Sequence, residues 1–386
     1  MKILSFLNVS NKDDIQCDSG FVFQRLIASE LIRQGHDFRI VSPEPIVEEG
    51  VSNEKFDFGD NKFQVRFNFD WHRIQKIIER YDPDVLWINQ PELSANFRAM
   101  LCTIGSRAQI VTYIHYLPIR AINKGKVELD ASLNNSDLAL PILLSVLGSL
   151  HISDKILVQS RFAQEILEKA LQIFRLPYDA DKIFIIPPPF DPLLFDNGAS
   201  DGNPNKFIIY NHRLYKHYGT DFFIKVINSL KARREVQFFV ADLFASRNGT
   251  RQKLDQNVDL YRSELKTYRN VIFAENTNNR DEYREVIMNC RAGLAAHRQM
   301  AVWSMSAVDC LGMGVPVIAP NFASYPEFIP SCLLYNSVEE FQEILNTLLD
   351  SNSFWQESSR EGKEKIRAFS PSNVAQRFTE ILEYDQ

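Results

Sequence analysis

A stretch of small and polar residues in the second half of the chain, AGLAAHRQMAVWSMSAVDCLGMGVPVIAPNFASYPEFIP (residues 292–330), has the composition of an anion-binding site. Its predicted elements are a buried strand (Ala292–Ala296), a polar loop (His297–Ser304), a short helix that ends at Gly312 and Gly314, and a second buried strand (Val315–Ala319). A helix that begins at such a loop, at the carboxyl end of a strand, directs backbone N–H groups at an anion. The unit therefore predicts a diphosphate site, and a plain crossover without a ligand is the alternative that the pattern leaves open.

The size and charge of the chain limit the number of domains and the kinds of partner that it can have. Its 386 residues are enough for two domains, and a hydrophobic fraction of 45% with 12% aromatic residues is typical of well-packed globular domains. The formal net charge of −6 argues against broad electrostatic binding of a polyanion, although a local basic groove remains compatible with it. Nucleic acid is therefore possible as a partner but is not indicated by bulk charge.

Cysteine usage and the amino terminus favour a cytoplasmic protein. Five cysteines without CxxC spacing stand at positions 17, 102, 290, 310 and 332. We interpret them as reduced structural thiols, and no ligand-like cluster predicts a metal. The N-terminal run MKILSFLNVS is too short for a signal peptide, and no apolar run reaches the roughly 18 residues of a membrane span.

The first half of the chain alternates strand and helix patterns. Predicted strands are Met1–Val9, Phe38–Ser42, Asp84–Asn89, Ile110–His115, Lys155–Gln159 and Lys182–Ile186, and predicted helices are Phe21–Gln34, Trp71–Tyr81, Ser94–Ile104 and Arg161–Gln172. Apolar strands that alternate with helices predict a parallel sheet covered on both faces. Residues 116–150 are less regular, and we expect an insertion there, with a basic loop (Arg120, Lys124, Lys126) over the carboxyl edge of the sheet.

A break in composition separates the two halves. PPP at 187–189 and DNGASDGNPN at 196–205 predict a linker over residues 191–205, between a first domain of residues 1–190 and a second of residues 206–370. The second half has predicted strands Lys206–Asn211, Val236–Ala241 and Val271–Ala274, and predicted helices Asp221–Lys231, Gln252–Tyr268 and Arg280–Asn289. Residues 337–386 predict two or three helices broken near Ser351 and Pro371, and we expect the last, 371–386, to return to the first domain. The fold class is α/β, with two doubly wound Rossmann-like domains facing a central cleft.

This order of motifs resembles the GT-B glycosyltransferases, in particular the retaining family with a Glu-x7-Glu stretch before a GxPVI strand. DCLGMGVPVIAP at 309–320 carries the resemblance most clearly. It is supported by the Ser19-Gly20 turn before the first helix, the strand-end histidine of TYIHYLP and the basic loop of IIYNHRLYKHYGTD. FIIPPPFDPLLF is similar to the link segment of the family.

Two positions depart from the pattern of the family. In the frame of Gly314-Val315-Pro316, Asp309 takes the place of the second glutamate, while Ala301 stands where the first glutamate contacts the sugar. In the basic loop, Tyr218 stands five residues after Arg213, where the family has a lysine, so Lys216 or His217 would have to supply the second cation.

The resemblance implies a donor site for a nucleotide-diphosphate sugar, most readily UDP- or GDP-linked, in the second domain. Arg213 and Lys216 would stabilise the leaving diphosphate, and the N–H groups of Ser304, Met305 and Ser306 would bind the same phosphates. Asp309 would accept from ribose hydroxyls, whereas a mid-helix pair with solvent or Arg298 is the alternative. The other expected donor contacts are Ser19, Gly20, His297 and Arg298.

His115 is the third expected catalytic residue, because in the family this histidine approaches the transferred sugar. A core histidine with satisfied hydrogen bonds is the alternative. On the acceptor side we expect residues at neighbouring strand ends and in the basic loop, namely Asn89, Gln90, Glu92, Arg120 and Lys124.

The implied activity is that of a retaining hexosyl- or pentosyltransferase. In its front-face mechanism the departing diphosphate acts as the base, and neither a metal nor another cofactor is required. Two alternatives stay open: a GT-B enzyme that glycosylates a modified base in DNA or RNA, and a catalytically silent nucleotide-sugar-binding protein. Neither the acceptor nor the oligomeric state follows from the sequence.

Overall fold

A computed structural model describes residues 1–9, 15, 18–59, 61–129, 137–196, 198, 205–242, 255–274 and 279–384. The chain divides into two compact units. Unit 1 contains Met1–Pro189 together with Pro371–Gln386, and unit 2 contains Phe190–Ser370. Each unit is a parallel sheet covered by helices, so the predicted α/β class with two Rossmann-like domains is confirmed.

The sheet of unit 1 has seven parallel strands in the order β3-β2-β1-β4-β5-β8-β9. They are β1 (Lys2–Phe6), β2 (Asp37–Ser42), β3 (Ser52–Lys55), β4 (Val85–Ile88), β5 (Gln109–Tyr113), β8 (Lys155–Val158) and β9 (Ile183–Ile185). The polar edge strand β3 was not predicted, because its sequence SNEK lacks apolar alternation. The strand order reverses between β1 and β4, and in such sheets the gap at this reversal is where ligands bind.

The helices of unit 1 cover both faces of this sheet. They are α1 (Ser19–Arg33), α2 (Lys62–Phe67), α3 (Trp71–Tyr81), α4 (Ser94–Ile104), α5 (Ala139–Ser149), α6 (Arg161–Ile173) and, from the end of the chain, α13 (Pro371–Glu383). Phe378 of α13 packs on Trp87 of β4, with ring centroids 4.8 Å apart. Lys155 donates to the carbonyls of Ile381 and Leu382, where a cation complements the carboxyl end of α13.

The segment expected to be an insertion with a basic loop and an apolar helix from about Leu138 contains that helix, α5, and a hairpin at the basic residues. Strands β6 (Ile119–Asn123) and β7 (Lys126–Leu129) pair antiparallel, joined by a two-residue turn at Lys124 and Gly125. Both turn residues have positive φ, as hairpin turns of this length require. The hairpin was not predicted, because Lys-Gly is a weak turn signal between strands of mixed polarity.

The sheet of unit 2 has six parallel strands in the order β12-β11-β10-β13-β14-β15. They are β10 (Phe207–Tyr210), β11 (Gln237–Val240), β12 (Val271–Phe273), β13 (Ala292–Leu294), β14 (Val317–Pro320) and β15 (Leu334–Tyr335). Its helices are α7 (Thr220–Ser229), α8 (Val258–Leu265), α9 (Arg280–Met288), α10 (Met305–Gly312), α11 (Val338–Asp350) and α12 (Asn352–Arg367). Here the order reverses between β10 and β13.

The predicted linker is only partly a connecting segment. Leu194 is fully buried in the core of unit 2, and the carboxylate of Asp191 binds Arg280 at 3.1 Å. Residues 197 and 199–204 lie outside the described residues, as does the start of the predicted helix Gln252–Tyr268, of which α8 is the described part.

The described residues also bear on the expectations for membrane spans, metals and cysteines. No helix among them combines the length and apolarity needed to cross a membrane. Within the same residues no three His, Cys, Asp or Glu side chains come together as metal ligands. Four of the cysteines, at positions 102, 290, 310 and 332, are free thiols, and Cys17 lies outside the described residues.

Candidate functional site

A pocket of about 160 Å³ opens at the carboxyl end of the sheet of unit 1. Its walls are the ends of β1, β4 and β5, the start of α1, and one side chain of α2, with lining residues 7–9, 18–20, 66, 89–91 and 115–116. It therefore lies where the strand order reverses. Of the residues predicted from the sequence, it brings together Ser19, Gly20, Asn89, Gln90 and His115.

His115 is held in one tautomer by Asn89. The Nδ2 group of Asn89 donates to the carbonyl of Phe6 at 3.1 Å, so its Oδ1 faces Nε2 of His115 at 2.8 Å. Nε2 therefore carries the proton and Nδ1 is an acceptor. Burial lowers the pKa of His115 to about 3, so the imidazole is neutral at physiological pH and acts by hydrogen bonding rather than as a cation.

The start of α1 is capped by its own chain. The Oδ1 atom of Asp18 accepts from the amides of Gly20 at 2.9 Å and Phe21 at 3.2 Å. These two N–H groups are therefore already paired. A Cβ at Gly20 would lie 3.2 Å from Oδ1 of Asp18, closer than an ordinary contact, so a side chain there would press on the cap of α1.

An ion pair that the sequence did not predict supports the opposite wall. Arg66 of α2 forms a salt bridge with Glu92, and its guanidinium lies 5.4 Å from the ring centroid of Tyr116. Gln90 donates to the other oxygen of Glu92 at 3.1 Å. Glu92 was expected to contact the acceptor, but its side chain is fully buried behind Arg66 and does not line the pocket. No pattern in the sequence predicted α2, so Arg66 was missed.

The other two residues expected on the acceptor side lie elsewhere. Arg120 is exposed on β6 and Lys124 is exposed in the turn of the hairpin. Neither lines the pocket. Both side chains belong to the hairpin of β6 and β7, and their contact with an acceptor stays a prediction.

In unit 2 the loops that follow β10 and β13 lie against each other at the reversal of strand order. A Cβ on Gly219, whose φ is +80°, would lie 2.7 Å from Cβ of His297. The amide of His297 donates to the carbonyl of Tyr218 at 3.1 Å. His212 donates from Nε2 to the carbonyl of Leu294 at 2.9 Å, and burial lowers its pKa to about 4. These contacts fix the two loops as one surface.

The predicted cations lie on this surface with different exposure. Arg213 follows the buried His212 and is half-buried. Lys216 is exposed at the start of a single turn of 3-10 helix, and its amide donates to Asp255 at 2.6 Å. Arg298 lies over the ring of Tyr218, with Cζ 5.2 Å from the centroid. The contact between Arg298 and Tyr218 was not predicted, since the two residues stand on different loops.

The first turn of α10 offers backbone donors. Ser304 is its N-cap and accepts from the amide of Ala307 at 3.4 Å. The amides of Met305 and Ser306 have no acceptor among the described residues, as expected for the first turn of a helix. The side chain of Asn211 donates to the carbonyl of Ser306 at 3.0 Å and ties α10 to the end of β10.

Asp309 is a buried carboxyl group with unused acceptor capacity. It is 5% exposed, its Oδ2 accepts from the hydroxyl of Tyr283 at 3.4 Å, and its Oδ1 has no partner among the described residues. Burial raises its pKa to about 6, while the charge of Arg280 acts in the opposite direction. The alternative pair with Arg298 is not formed, because Arg298 lies on Tyr218.

Ala301 brings no side-chain polar group to this surface. It is 2% exposed, and its carbonyl accepts from the amide of Ser324 at 3.1 Å and from the hydroxyl of Ser324 at 2.7 Å. The backbone at this position is therefore fixed, and a small apolar side chain occupies the place of the glutamate of the Glu-x7-Glu pattern.

Two family profiles match consecutive parts of the chain. The profile of Glycosyltransferase Family 4 matches residues 22–192, and that of Glycosyl transferases group 1 matches residues 196–365. No curated protein matches the chain in sequence.

Solved structures share the fold over the full length. Sucrose-phosphate synthase from Thermosynechococcus elongatus is 14% identical, with a TM-score of 0.75 over 100% of this chain and 99% of that chain. HepE of Anabaena in complex with UDP-glucose is 13% identical, with a TM-score of 0.69 over 100% of both chains. The structure of trehalose-6-phosphate from Escherichia coli bound with UDP-2-fluoro glucose is 11% identical, with a TM-score of 0.68 over 99% of both chains.

Proposed function

Since this chain belongs to the GT-B glycosyltransferases, we propose that it is a retaining, metal-independent transferase that moves a sugar from a nucleotide-diphosphate sugar to a hydroxyl group. The observation that carries this proposal is the surface of unit 2 at the reversal between β10 and β13. There Arg213 and Arg298 stand on the two facing loops, and the amides of Met305 and Ser306 begin α10. Such a surface suits a diphosphate.

The donor is a UDP-sugar. HepE of Anabaena was solved in complex with UDP-glucose, and the E. coli relative was bound with UDP-2-fluoro glucose. In this chain Asp309 is the proposed ribose contact, because its Oδ1 is an acceptor that no described group uses. A ribose hydroxyl that donated to this enclosed oxygen would satisfy it, provided that neighbouring side chains move aside.

Charge on the diphosphate is stabilised by permanent cations. An arginine holds a bidentate pair with phosphate and stays protonated at any physiological pH. Two arginines and two backbone N–H groups supply the stabilisation that a divalent ion provides elsewhere. We therefore expect turnover without a metal.

The reaction proceeds on one face of the sugar. The acceptor hydroxyl forms its bond to the anomeric carbon as the bond to the diphosphate oxygen breaks. That oxygen takes the proton of the hydroxyl, so no protein nucleophile is needed and the anomeric configuration is retained. His115, neutral and fixed by Asn89, is the proposed hydrogen-bonding group for a sugar hydroxyl in the pocket of unit 1.

The test is a thermal-shift panel of UDP-, GDP-, ADP- and TDP-sugars, since a ligand that binds the native state raises the melting temperature. We expect UDP-sugars to give the largest shift and Arg213→Ala to remove most of it. An exposed arginine of the same unit, Arg269→Ala, serves as the control. With an acceptor, NMR of the product should show the donor's anomeric configuration, with a rate unchanged by EDTA.

Three outcomes would count against the proposal. The absence of a shift with every nucleotide sugar would refute the donor site. An inverted product would refute retention. Donor binding without transfer to any acceptor would favour the silent binding protein, for which the missing polar side chain at Ala301 is the motivating observation.

A further inference from the structure

We propose that the pocket of unit 1 binds an uncharged, hydroxyl-rich group the size of one sugar ring, and that Arg66 serves there as a hydrogen-bond donor rather than as an anion receptor. The inference rests on the proposed function, because it names the class of acceptor that the transferase uses. It is carried by the charge balance, the hydrogen-bonding groups and the size of the pocket.

The positive charge in the pocket is already neutralised. Arg66 and Asp18 are the charged side chains among the lining residues that the structure describes. Glu92 pairs with Arg66 from behind the wall, with the two side chains 0% and 14% exposed, respectively. His115 contributes no charge at physiological pH. Among the described lining residues, a phosphate or carboxylate entering this pocket would therefore meet no uncompensated cation, and it would lose its hydration.

The hydrogen-bonding groups suit hydroxyls, which both donate and accept. The remaining N–H groups of Arg66 are donors, while Nδ1 of His115, Oδ1 of Asn8 and Oε1 of Gln90 are acceptors without a partner among the described residues. Each is held in place by another bond: Asn8 donates to the carbonyl of Val65, and Gln90 donates to Glu92. A set of fixed donors and acceptors with no net positive charge recognises a polyol.

The size of the pocket limits the bound group. Its volume of about 160 Å³ is below the roughly 300 Å³ at which sites for drug-sized ligands begin. One pyranose ring is of this size. The pocket would therefore hold one ring of an acceptor, and the rest of a larger acceptor would lie outside it.

The test measures binding directly on the full chain, by ligand-observed NMR titration with methyl hexopyranosides (gluco, galacto and manno) and with the corresponding hexose 6-phosphates. We expect at least one neutral glycoside to bind about tenfold or more tightly than its phosphate, with little change between roughly 50 and 300 mM NaCl. Tighter binding of the phosphate, or no binding of any neutral glycoside at about 50 mM, would overturn the inference. This comparison needs no variant.

A charge switch tests the role of Glu92. Glu92→Gln keeps the shape and leaves the Arg66 charge uncompensated, so the affinity for the hexose 6-phosphate should rise about tenfold and become sensitive to salt. Glu54→Gln, which breaks the Arg80 pair on the surface of the same unit, should change neither affinity. If folded Glu92→Gln, judged by its melting curve, gained no phosphate affinity, charge compensation would not explain the selectivity.

Parallel thermal shifts with UDP-sugars separate the two proposals. Glycoside binding without a nucleotide response would refute the proposed function and leave the pocket assignment standing. A nucleotide response with preference for the phosphorylated sugar would refute only the pocket assignment.

Discussion

Arg298 lies over the ring of Tyr218, with Cζ 5.2 Å from the ring centroid and Nη1 donating to the phenol oxygen at 3.4 Å. Tyr218 occupies the position where the family has a lysine. Arg213 stands on the loop after β10, and the second arginine of this surface stands on the loop after β13. We expect Arg298, rather than Lys216 or His217, to be the second cation for the diphosphate.

Replacement of Arg298 tests whether it takes the role of the lysine that the family has at the position of Tyr218. Arg298→Ala should weaken UDP binding by about 10- to 100-fold, since a charge-assisted bond to phosphate contributes roughly 1.5–3 kcal/mol. Arg298→Ala combined with Tyr218→Lys should recover part of the loss, because it restores a cation on the other loop. Isothermal titration with UDP measures both. A larger loss for Lys216→Ala than for Arg298→Ala would contradict the assignment.

Asp309→Asn should raise the stability of the protein and weaken its affinity for the donor. Folding raises the pKa of this carboxyl group to about 6, so the charged form destabilises the native state above that pH. The variant should gain roughly 1–3 kcal/mol in the free energy of unfolding at pH 8, and the gain should fade as the pH drops toward 4. UDP should bind the variant more weakly if Asp309 contacts the ribose.

A second carboxylate, Asp350, serves as the control, because its replacement should change stability at pH 8 in the opposite direction. Asp350 bonds with Arg233 and Lys206 at the surface, and these partners lower its pKa to about 2. Asp350→Asn should therefore lower stability at pH 8 and leave UDP binding unchanged. Denaturant unfolding at two pH values measures both variants. Equal behaviour of the two would show that burial does not control Asp309.

Gly219→Ala should destabilise unit 2, because the added methyl group would overlap His297. The φ of Gly219 is +80°, and an added Cβ would lie 2.7 Å from Cβ of His297, so strain and overlap together should cost about 2–4 kcal/mol. Gly105→Ala is the matched control, because its φ is +70° and nothing lies within 4 Å of the added atom. Its cost should be near 1 kcal/mol. Equal costs for the two variants in denaturant unfolding would show that the contact with His297 is not tight.

The titration of His115 should lower the stability of the protein in acid. It should not make the activity depend on pH near 6.5. Its folded-state pKa of about 3 lies below the ordinary value of 6.5, so its stabilising effect is complete above pH 6.5 and is lost as the pH falls toward 3. At pH 5 the loss should be about 2 kcal/mol. His115→Gln should remove this part of the pH dependence. A kcat/KM profile with a limb near pH 6.5 that disappears in His115→Gln would contradict a neutral histidine.

The sequence by itself determined the elements that position the site. Apolar strands alternating with helices predicted both parallel sheets, because a strand buried on two faces needs continuous apolar residues. Ser304 and the glycines Gly312 and Gly314 bounded α10, since cap residues act within one turn. His115 was assigned to a strand end, and it lies there in the pocket.

Only the tertiary structure decided which side chains meet. Arg66 and Glu92 stand 26 positions apart, and Tyr218 and Arg298 stand 80 apart. Both pairs join segments that the strand order of the two sheets brings together, and no local pattern encodes that order. These long-range pairings decide whether the charge of Arg66 in the pocket is compensated. They also decide whether Arg298 lies on the donor surface. Local propensity extends over a few residues, whereas charge compensation requires the packed neighbours.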